Sequence, residues 1–178
     1  AQRLGVGPQR RVVALAGGVN RYPDREAWAL RSALADYLGH GVTPEMVWAA
    51  NGSNEVMVHV LSAFGGPGRK VLSFTPTYSM YPEYARNTLT PYVTVPRHAD
   101  YTLDADLVLA AIAEHDPTVV VITTPNNPTG TPTALDVIRT VVESTDAIVV
   151  VDEAYQEFAT HPEQTALTLL AEHGNLVV

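Results

Sequence analysis

The sequence predicts an α/β fold, with a mostly parallel sheet and helices on both faces. Two observations support this prediction. Short apolar runs alternate with segments of helical periodicity along most of the 178 residues. Two of the runs, Val119–Thr123 and Ala147–Val151, are rich in β-branched residues, as is typical of buried strands. Strands that alternate with helices usually pair in parallel through right-handed crossovers.

The first predicted helix is capped by Asp24 and runs to about Leu38, where Gly39 and Gly41 end it. Residues 1–19 are interpreted as an N-terminal lead-in, and residues 20–178 as one partial domain. The other helices are predicted at Ser53–Phe64, Ser79–Asn87, Leu103–His115, Ala134–Glu143 and Thr165–Glu172. The strands are predicted at Met46–Ala50, Val71–Phe74, Tyr92–Val95, Val119–Thr123, Ala147–Val151 and Leu176–Val178. Pro91 favours an edge position for the third of these strands.

Composition argues against several classes of function. The formal net charge is -8 and the eleven Lys and Arg residues are scattered, so no nucleic-acid partner is expected. No apolar run approaches the ~20 residues of a membrane span, so no membrane role is expected. There is no cysteine for a disulfide or thiolate site, and the six histidines lack metal-ligand spacing. The sequence therefore predicts a globular protein without a bound metal.

Four polar clusters follow four of the predicted strands. They are Asn51–Asn54, Thr75–Tyr78, Thr124–Gly130 and Asp152–Tyr155. Ligands of open parallel sheets bind outside the carboxyl ends of the strands. We therefore expect Asn51, Tyr78, Asn127 and Asp152 to surround one cleft.

Each candidate residue also has a purely structural interpretation. Asp152 is either a turn residue or a buried carboxylate that needs a cation, such as a protonated heterocyclic nitrogen. Asn127 either completes a turn or presents its amide to a ligand oxygen. Ser53 and Asn54 either begin a helix or bind phosphate through its free N–H groups. Tyr78 either packs or stacks on an aromatic ligand, and Tyr22 could be a hydrophobic staple before its helix.

Taken together, these segments resemble the fold-type-I pyridoxal-phosphate aminotransferases. The combination of N-P-T-G at 127–130 with D-E-A-Y at 152–155 is specific for that superfamily. N-R-Y-P at 20–23, G-S-N-E at 52–55 and P-T-Y-S-M-Y at 76–81 favour its histidinol-phosphate branch. The resemblance implies a class-I-like aminotransferase large domain.

The resemblance also implies a role for each site residue. Asp152 would pair with the pyridine nitrogen of pyridoxal 5'-phosphate, and Asn127 and Tyr155 would bind its phenolic oxygen. Tyr78 would stack on the ring, and the backbone of Ser53 and Asn54 would bind the phosphate.

A cytoplasmic homodimer is implied, in which Tyr22 reaches the phosphate in the partner subunit. The partners would be small-molecule substrates. The implied reaction transfers an amino group from L-glutamate to imidazole-acetol phosphate, a step of histidine biosynthesis.

The sequence departs from the family pattern in one decisive respect. The Schiff-base lysine would belong to an S-K motif just after a strand such as Leu176–Val178, and the only lysine is Lys70. Lys70 begins a predicted strand, whereas the cofactor belongs at carboxyl ends, so no catalytic residue is assigned.

The family's phosphate-binding arginine, small domain and N-terminal N-E-N-P arm are also not found, so the chain is expected to be an inactive fragment. The alternatives are an aromatic aminotransferase, a phosphothreonine-type decarboxylase or a non-catalytic assembly module.

Overall fold

The computed structural model describes Gly18 and residues 21–178. The predicted lead-in and Asn20 of the N-R-Y-P segment therefore lie outside the described residues, apart from Gly18. The described residues form a five-stranded sheet in the order β2-β1-β3-β4-β5, in which all strands are parallel. The strands are β1 Val71–Thr75, β2 Tyr92–Pro96, β3 Val119–Thr123, β4 Ile148–Asp152 and β5 Leu176–Val177. The predicted α/β class is confirmed, and the strand that follows Pro91 lies at an edge, as expected.

The helices are α1 Trp28–Leu38, α2 Ser53–Phe64, α3 Tyr81–Asn87, α4 Ala105–His115 and α5 Leu135–Glu143. The last four cover the two faces of the sheet. One core cluster joins α2 and α3 to Val119 and Val121 of β3. The other cluster joins α4 and α5 to Val120 and Ile122 of the same strand. Successive strand residues point to opposite faces, so β3 supplies both cores and is buried throughout.

The predicted strand at Met46–Ala50 is wrong. Pro44–Met46 is a turn of 3₁₀ helix, and residues 47–50 are neither helix nor strand. The N–H groups of Met46 and Val47 donate to the carbonyls of Thr43 and Pro44, so local turn bonds satisfy them. Arg31 of α1 also donates its Nε to the Pro44 carbonyl at 2.9 Å. The run is apolar because Val47 is buried, and burial of an apolar residue does not require a strand.

The predicted helix at Thr165–Glu172 contracts to a 3₁₀ turn over Ala166–Leu169. Glu153 explains the tight turn, because its Oε1 accepts from the Ala166 N–H at 2.7 Å and its other oxygen from the Thr165 hydroxyl. Burial raises the pKa of Glu153, and these two hydrogen bonds act in the opposite direction.

One predicted helix start is also corrected. Asp24 does accept from the Trp28 N–H at 2.8 Å, but the helix begins only at Trp28. The helix predicted at Ser53–Phe64 is confirmed with these bounds, and Gly52 holds its cap position with φ 79°. A cap that the sequence analysis missed is Asp104, whose side chain accepts from the Leu107 N–H.

Truncation of a buried apolar side chain in the central strand should destabilise the protein more than truncation of an exposed one. Ile122 of β3 is fully buried, whereas Leu89, after α3, is 71% exposed. We expect Ile122→Ala to lower the free energy of unfolding by about 2–5 kcal/mol, because it removes packed methyl groups and leaves a cavity. Leu89→Ala should change it by less than about 1 kcal/mol. Urea titration followed by circular dichroism measures both, and equal losses would contradict the described core.

Candidate cofactor site at the carboxyl edge of the sheet

The carboxyl ends of β3 and β4 lie side by side. Thr123 and Asp152 are the last residues of these strands and are paired in the parallel register. The loop that follows β1 reaches the same edge, where the Thr77 and Thr123 hydroxyls are 3.1 Å apart. Three of the four predicted polar clusters therefore start from one line across the sheet.

A cavity of about 110 Å³ opens at this edge. Its lining consists of Ser53, Tyr78, Thr123, Asn127, Asp152, Ala154 and Tyr155. Five of the seven predicted cofactor-binding residues are in this set. The structure thus brings together side chains that are up to about one hundred residues apart in the sequence.

The small cavity adjoins two larger ones. It shares Asn127 and Tyr155 with a cavity of about 540 Å³ beside the 124–134 loop. It shares Ser53 and Asp152 with a mainly apolar cavity of about 530 Å³ beside β5. Ligand pockets usually measure ~300–1,000 Å³. The edge therefore has room for a ligand larger than the small cavity itself.

The Asp152 carboxylate is held at both oxygens. Oδ2 accepts from the Tyr81 hydroxyl at 2.6 Å, and Oδ1 accepts from the Ala154 N–H at 3.2 Å. Among the ion pairs between described residues, none includes Asp152. Its charge is stabilised by hydrogen bonds and has no cation within the described protein. A ligand that carries a protonated nitrogen would supply one.

Tyr81 is a site residue that the sequence analysis missed. Its ring is 2% exposed at the start of α3, and it also makes a 2.7 Å hydrogen bond to the Thr123 hydroxyl. Burial, followed by the negative charge of Asp152, raises the pKa of Tyr81 well above its usual range. The phenol is therefore neutral at ordinary pH. Its apolar core position resembles that of any packing residue, which is why the sequence pattern did not single it out.

Tyr78 lies beside Tyr81 at the cavity. The two rings meet edge to face, with centroids 5.6 Å apart and planes at 82°. Edge-to-face contact is a preferred geometry of aromatic pairs. The half-buried Tyr78 ring is therefore braced by Tyr81 while it also lines the cavity.

Two neighbouring asparagines have different environments. Asn126 is 2% exposed, and its Nδ2 donates to the Pro76 carbonyl at 3.1 Å and to the Thr129 hydroxyl at 2.8 Å. These bonds tie the loop after β3 to the loop after β1. Asn127 lines the cavity, and no hydrogen bond joins its side chain to another described residue. Asn126 thus shapes the loop and Asn127 faces the site.

The amino end of α2 borders the cavity at Ser53. No side chain among the described residues caps this helix, while Asn51 donates its N–H and its Nδ2 to Glu55 Oε2. The Asn54 side chain turns to α3 and accepts from the Tyr84 hydroxyl at 2.6 Å. The Oδ1 of Asn54 is thus engaged with α3 and does not face the cavity. The helix end offers N–H groups and a positive dipole toward the site.

Three predictions about position have different outcomes. Asn51 does not line the cavity, so its predicted place in the cleft is wrong, and its amide donates to Glu55 instead. Tyr22 is fully exposed and lies outside the cavity. Lys70 precedes β1, and its Nζ donates to the His115 carbonyl at 2.6 Å, at the amino edge of the sheet. The only lysine is therefore at the opposite edge from Asp152, as expected.

Arg97 is a second polar residue that the sequence analysis missed. It follows β2, is 6% exposed, and donates to the carbonyls of Phe74, Tyr101 and Thr123 at 3.2–3.4 Å. Burial lowers its pKa to about 10, which leaves it charged at neutral pH. The guanidinium joins the ends of β1 and β3 and so supports the site from below.

Comparison with known proteins gives the family. A family model described as aminotransferase class I and II matches residues 7–178. The chain belongs to this family. Among curated aminotransferases, a histidinol-phosphate aminotransferase of Thermobifida fusca is 54% identical over 169 residues, covering 95% of this chain and 46% of the relative. A histidinol-phosphate aminotransferase of Paenarthrobacter aurescens is 55% identical over 170 residues, which cover 94% of this chain and 46% of that relative. The chain spans about half the length of the curated relatives it matches.

Solved aminotransferase structures share the fold. The histidinol-phosphate aminotransferase of Sinorhizobium meliloti, solved in complex with pyridoxal-5'-phosphate, matches with a TM-score of 0.80 at 23% identity. The match covers 97% of this chain and 47% of that chain.

Two features are absent from the described residues. No helix in them has the length and hydropathy to cross a membrane. In the same residues, no group of three or more acidic or histidine side chains is placed to hold a metal ion.

The two asparagines provide a matched test of how the residues of this loop divide between structure and cavity. We expect Asn126→Ala to lower the free energy of unfolding by about 1–3 kcal/mol, because it removes two hydrogen bonds inside a buried loop. Asn127→Ala should change it by no more than about 0.5 kcal/mol. Denaturant titration measures both variants. An Asn127 variant as unstable as the Asn126 variant would show that both residues hold the loop.

Proposed function

We propose that this chain is the cofactor-binding part of a histidinol-phosphate aminotransferase that uses pyridoxal 5'-phosphate. The reaction would transfer an amino group between L-glutamate and imidazole-acetol phosphate. The observation that carries the proposal is the convergence of Asp152, Asn127, Tyr155, Tyr78 and Ser53 on one cavity. The 54% identity to the Thermobifida fusca relative supports the choice of substrate.

The donor set suits a protonated pyridine ring. Asp152 has no cationic partner among the described residues, so its carboxylate would accept a hydrogen bond from the ring nitrogen and keep it protonated. Asn127 and Tyr155 would hydrogen-bond the phenolic oxygen, and Tyr78 would pack on the ring. When bound, pyridoxal 5'-phosphate supplies the electron sink that amino transfer requires. The protein would orient the cofactor ring and supply the negative charge of Asp152.

The phosphate would bind at the amino end of α2. The backbone N–H groups of Ser53 and Asn54 lie in the first turn, where the helix dipole favours an anion. Glu55 does not compete for this position, because its carboxylate is bound to Asn51. The exposed Tyr22 would reach the phosphate of a partner subunit.

This chain alone should bind the cofactor weakly and without a covalent bond. Lys70 is held at the amino edge of the sheet by the His115 carbonyl, far from the cavity in the fold. We expect Asp152→Ala to abolish binding of pyridoxal 5'-phosphate, because among the described residues it removes the only carboxylate that lines the small cavity. Lys70→Ala should bind as the parent does. Equilibrium dialysis at neutral pH measures both.

Two results would overturn this proposal. One is covalent attachment of the cofactor to Lys70 after borohydride reduction, detected by peptide mass. The other is unchanged binding in Asp152→Ala. The substrate is tested separately, on the protein that the complete reading frame encodes. Transamination of imidazole-acetol phosphate at least about tenfold faster than that of aromatic keto acids is expected, and the reverse preference would favour an aromatic aminotransferase.

We also propose a homodimer, located in the cytosol. Tyr22 is fully exposed, and the apolar side chains of Leu30, Tyr37 and Trp48 are 52–69% exposed on and near α1. Exposed apolar groups of this kind favour association.

The oligomeric state provides the test. Sedimentation velocity at tens of micromolar should show a dimer, and Leu30→Glu should shift it toward monomer. Leu89→Glu, which alters an exposed leucine after α3, is the matched control. A parent that sediments as a monomer would contradict the dimer and leave the proposed chemistry unaffected.

A further inference from the structure

A line of four polar side chains crosses the carboxyl edge of the sheet. Thr77 and Thr123 have hydroxyls 3.1 Å apart, Thr123 and Tyr81 have hydroxyls 2.7 Å apart, and Tyr81 is 2.6 Å from Asp152 Oδ2. Thr123 is 3% exposed and Tyr81 is 2% exposed, so the middle of the line is shielded from water. The four residues come from the loop after β1, the end of β3, the start of α3 and the end of β4.

The chemistry of the groups gives this line one direction. An ionised carboxylate can only accept, so the Tyr81 hydroxyl donates to Asp152. The Tyr81 oxygen must then accept from Thr123. The single hydroxyl proton of Thr123 is thereby used, so Thr123 accepts from Thr77. Three hydroxyl dipoles are aligned toward one carboxylate oxygen, and such chains strengthen each other where the local dielectric is low.

The surroundings of Tyr81 preserve this arrangement. Its ring meets Tyr78 and Tyr84 edge to face, with centroids 5.6 and 6.5 Å away. Arg97 is the charged group beneath it, and this guanidinium donates to the Thr123 carbonyl. Thr123 is therefore held at its carbonyl as well as at its hydroxyl. Burial and the charge of Asp152 raise the pKa of Tyr81, so the phenol keeps the proton that it donates.

We propose that Tyr81 is a positioning residue of the cofactor site, which fixes the Asp152 carboxylate for the ring nitrogen through the directed line from Thr77 and Thr123. The inference rests on the proposed function. Tyr81 does not line the small cavity and acts through Asp152. Held by Tyr81 at Oδ2 and by Ala154 at Oδ1, the carboxylate keeps a single orientation before any ligand arrives.

The test is a double-mutant cycle on ligand binding. Parent, Tyr81→Phe, Asp152→Asn and the double variant are titrated with pyridoxine 5'-phosphate, which has no aldehyde and so forms no adduct with amines. We expect Tyr81→Phe to weaken binding about tenfold, as for the loss of one hydrogen bond to a charged group. The double variant should bind no more weakly than Asp152→Asn, because Tyr81 acts only through that carboxylate.

Controls separate positioning from general damage to the fold. Tyr92→Phe removes a hydroxyl from a half-buried tyrosine that packs against the same core cluster on β2, and it should bind as the parent does. Thr123→Val keeps the shape of the side chain and removes the hydroxyl that donates to Tyr81. We expect this variant to weaken binding by a smaller factor than Tyr81→Phe does. If Tyr81→Phe does not fold, Thr123→Val takes its place in the double-mutant cycle.

The outcomes distinguish this inference from the proposed function. Additive losses in the double variant, or parent-like binding by Tyr81→Phe while Asp152→Asn is impaired, would overturn the role of Tyr81 and leave the cofactor site standing. Parent-like binding by Asp152→Asn, or no binding by the parent, would overturn the proposed function and this inference with it. A non-additive cycle with an unaffected Tyr92→Phe supports both.

Discussion

The parallel pairing of β3 with β4 is the constraint on which the site depends. It sets Thr123 beside Asp152 at the carboxyl edge, and the loops that follow both strands then leave from the same line. A shift of one residue would turn Asp152 to the opposite face of the sheet, because side chains alternate along a strand. Since β3 and the strand core around it are buried on both faces, a slipped pairing would draw a polar residue that now ends a strand into the apolar core. The same burial that stabilises the sheet therefore aligns the polar residues at its end.

Electrostatics at this edge follow from the way each charge is hydrogen-bonded. Arg97 brings a positive charge into the core, but backbone carbonyls take up its N–H groups and no described carboxylate pairs with it. Asp152 receives a tyrosine hydroxyl and a backbone N–H. Neither charge neutralises the other by direct contact. A half-buried anion without a protein cation suits a ligand that brings its own positive nitrogen.

Neighbouring residues within one motif divide the structural and ligand-facing tasks. Asn126 closes the loop through Pro76 and Thr129, and the next residue, Asn127, lines the cavity. Within the 76–81 segment, Tyr78 lines the cavity while Tyr81 lies beneath it and bonds Asp152. In the D-E-A-Y segment, Asp152 and Tyr155 line the cavity while Glu153 turns away to cap the 3₁₀ turn after Thr165. A linear motif therefore contains residues of both kinds, and their order alone does not separate them.

The sequence by itself determined the α/β class, the buried strands, the edge position of β2 and five of the residues that line the cavity. These features depend on local periodicity, β-branching and polar clusters, all of which can be recognised along the chain, although the cluster at 51–54 follows a segment that is not a strand. Only the tertiary structure decided that 47–50 is not a strand, that Asn51 is bound to Glu55, and that Tyr81 and Arg97 belong to the site. The physical reason is that a buried tyrosine or arginine is assigned its task by its hydrogen-bond partners. Those partners lie 71 residues away for Tyr81, and 23 and 26 residues away for two of the Arg97 bonds.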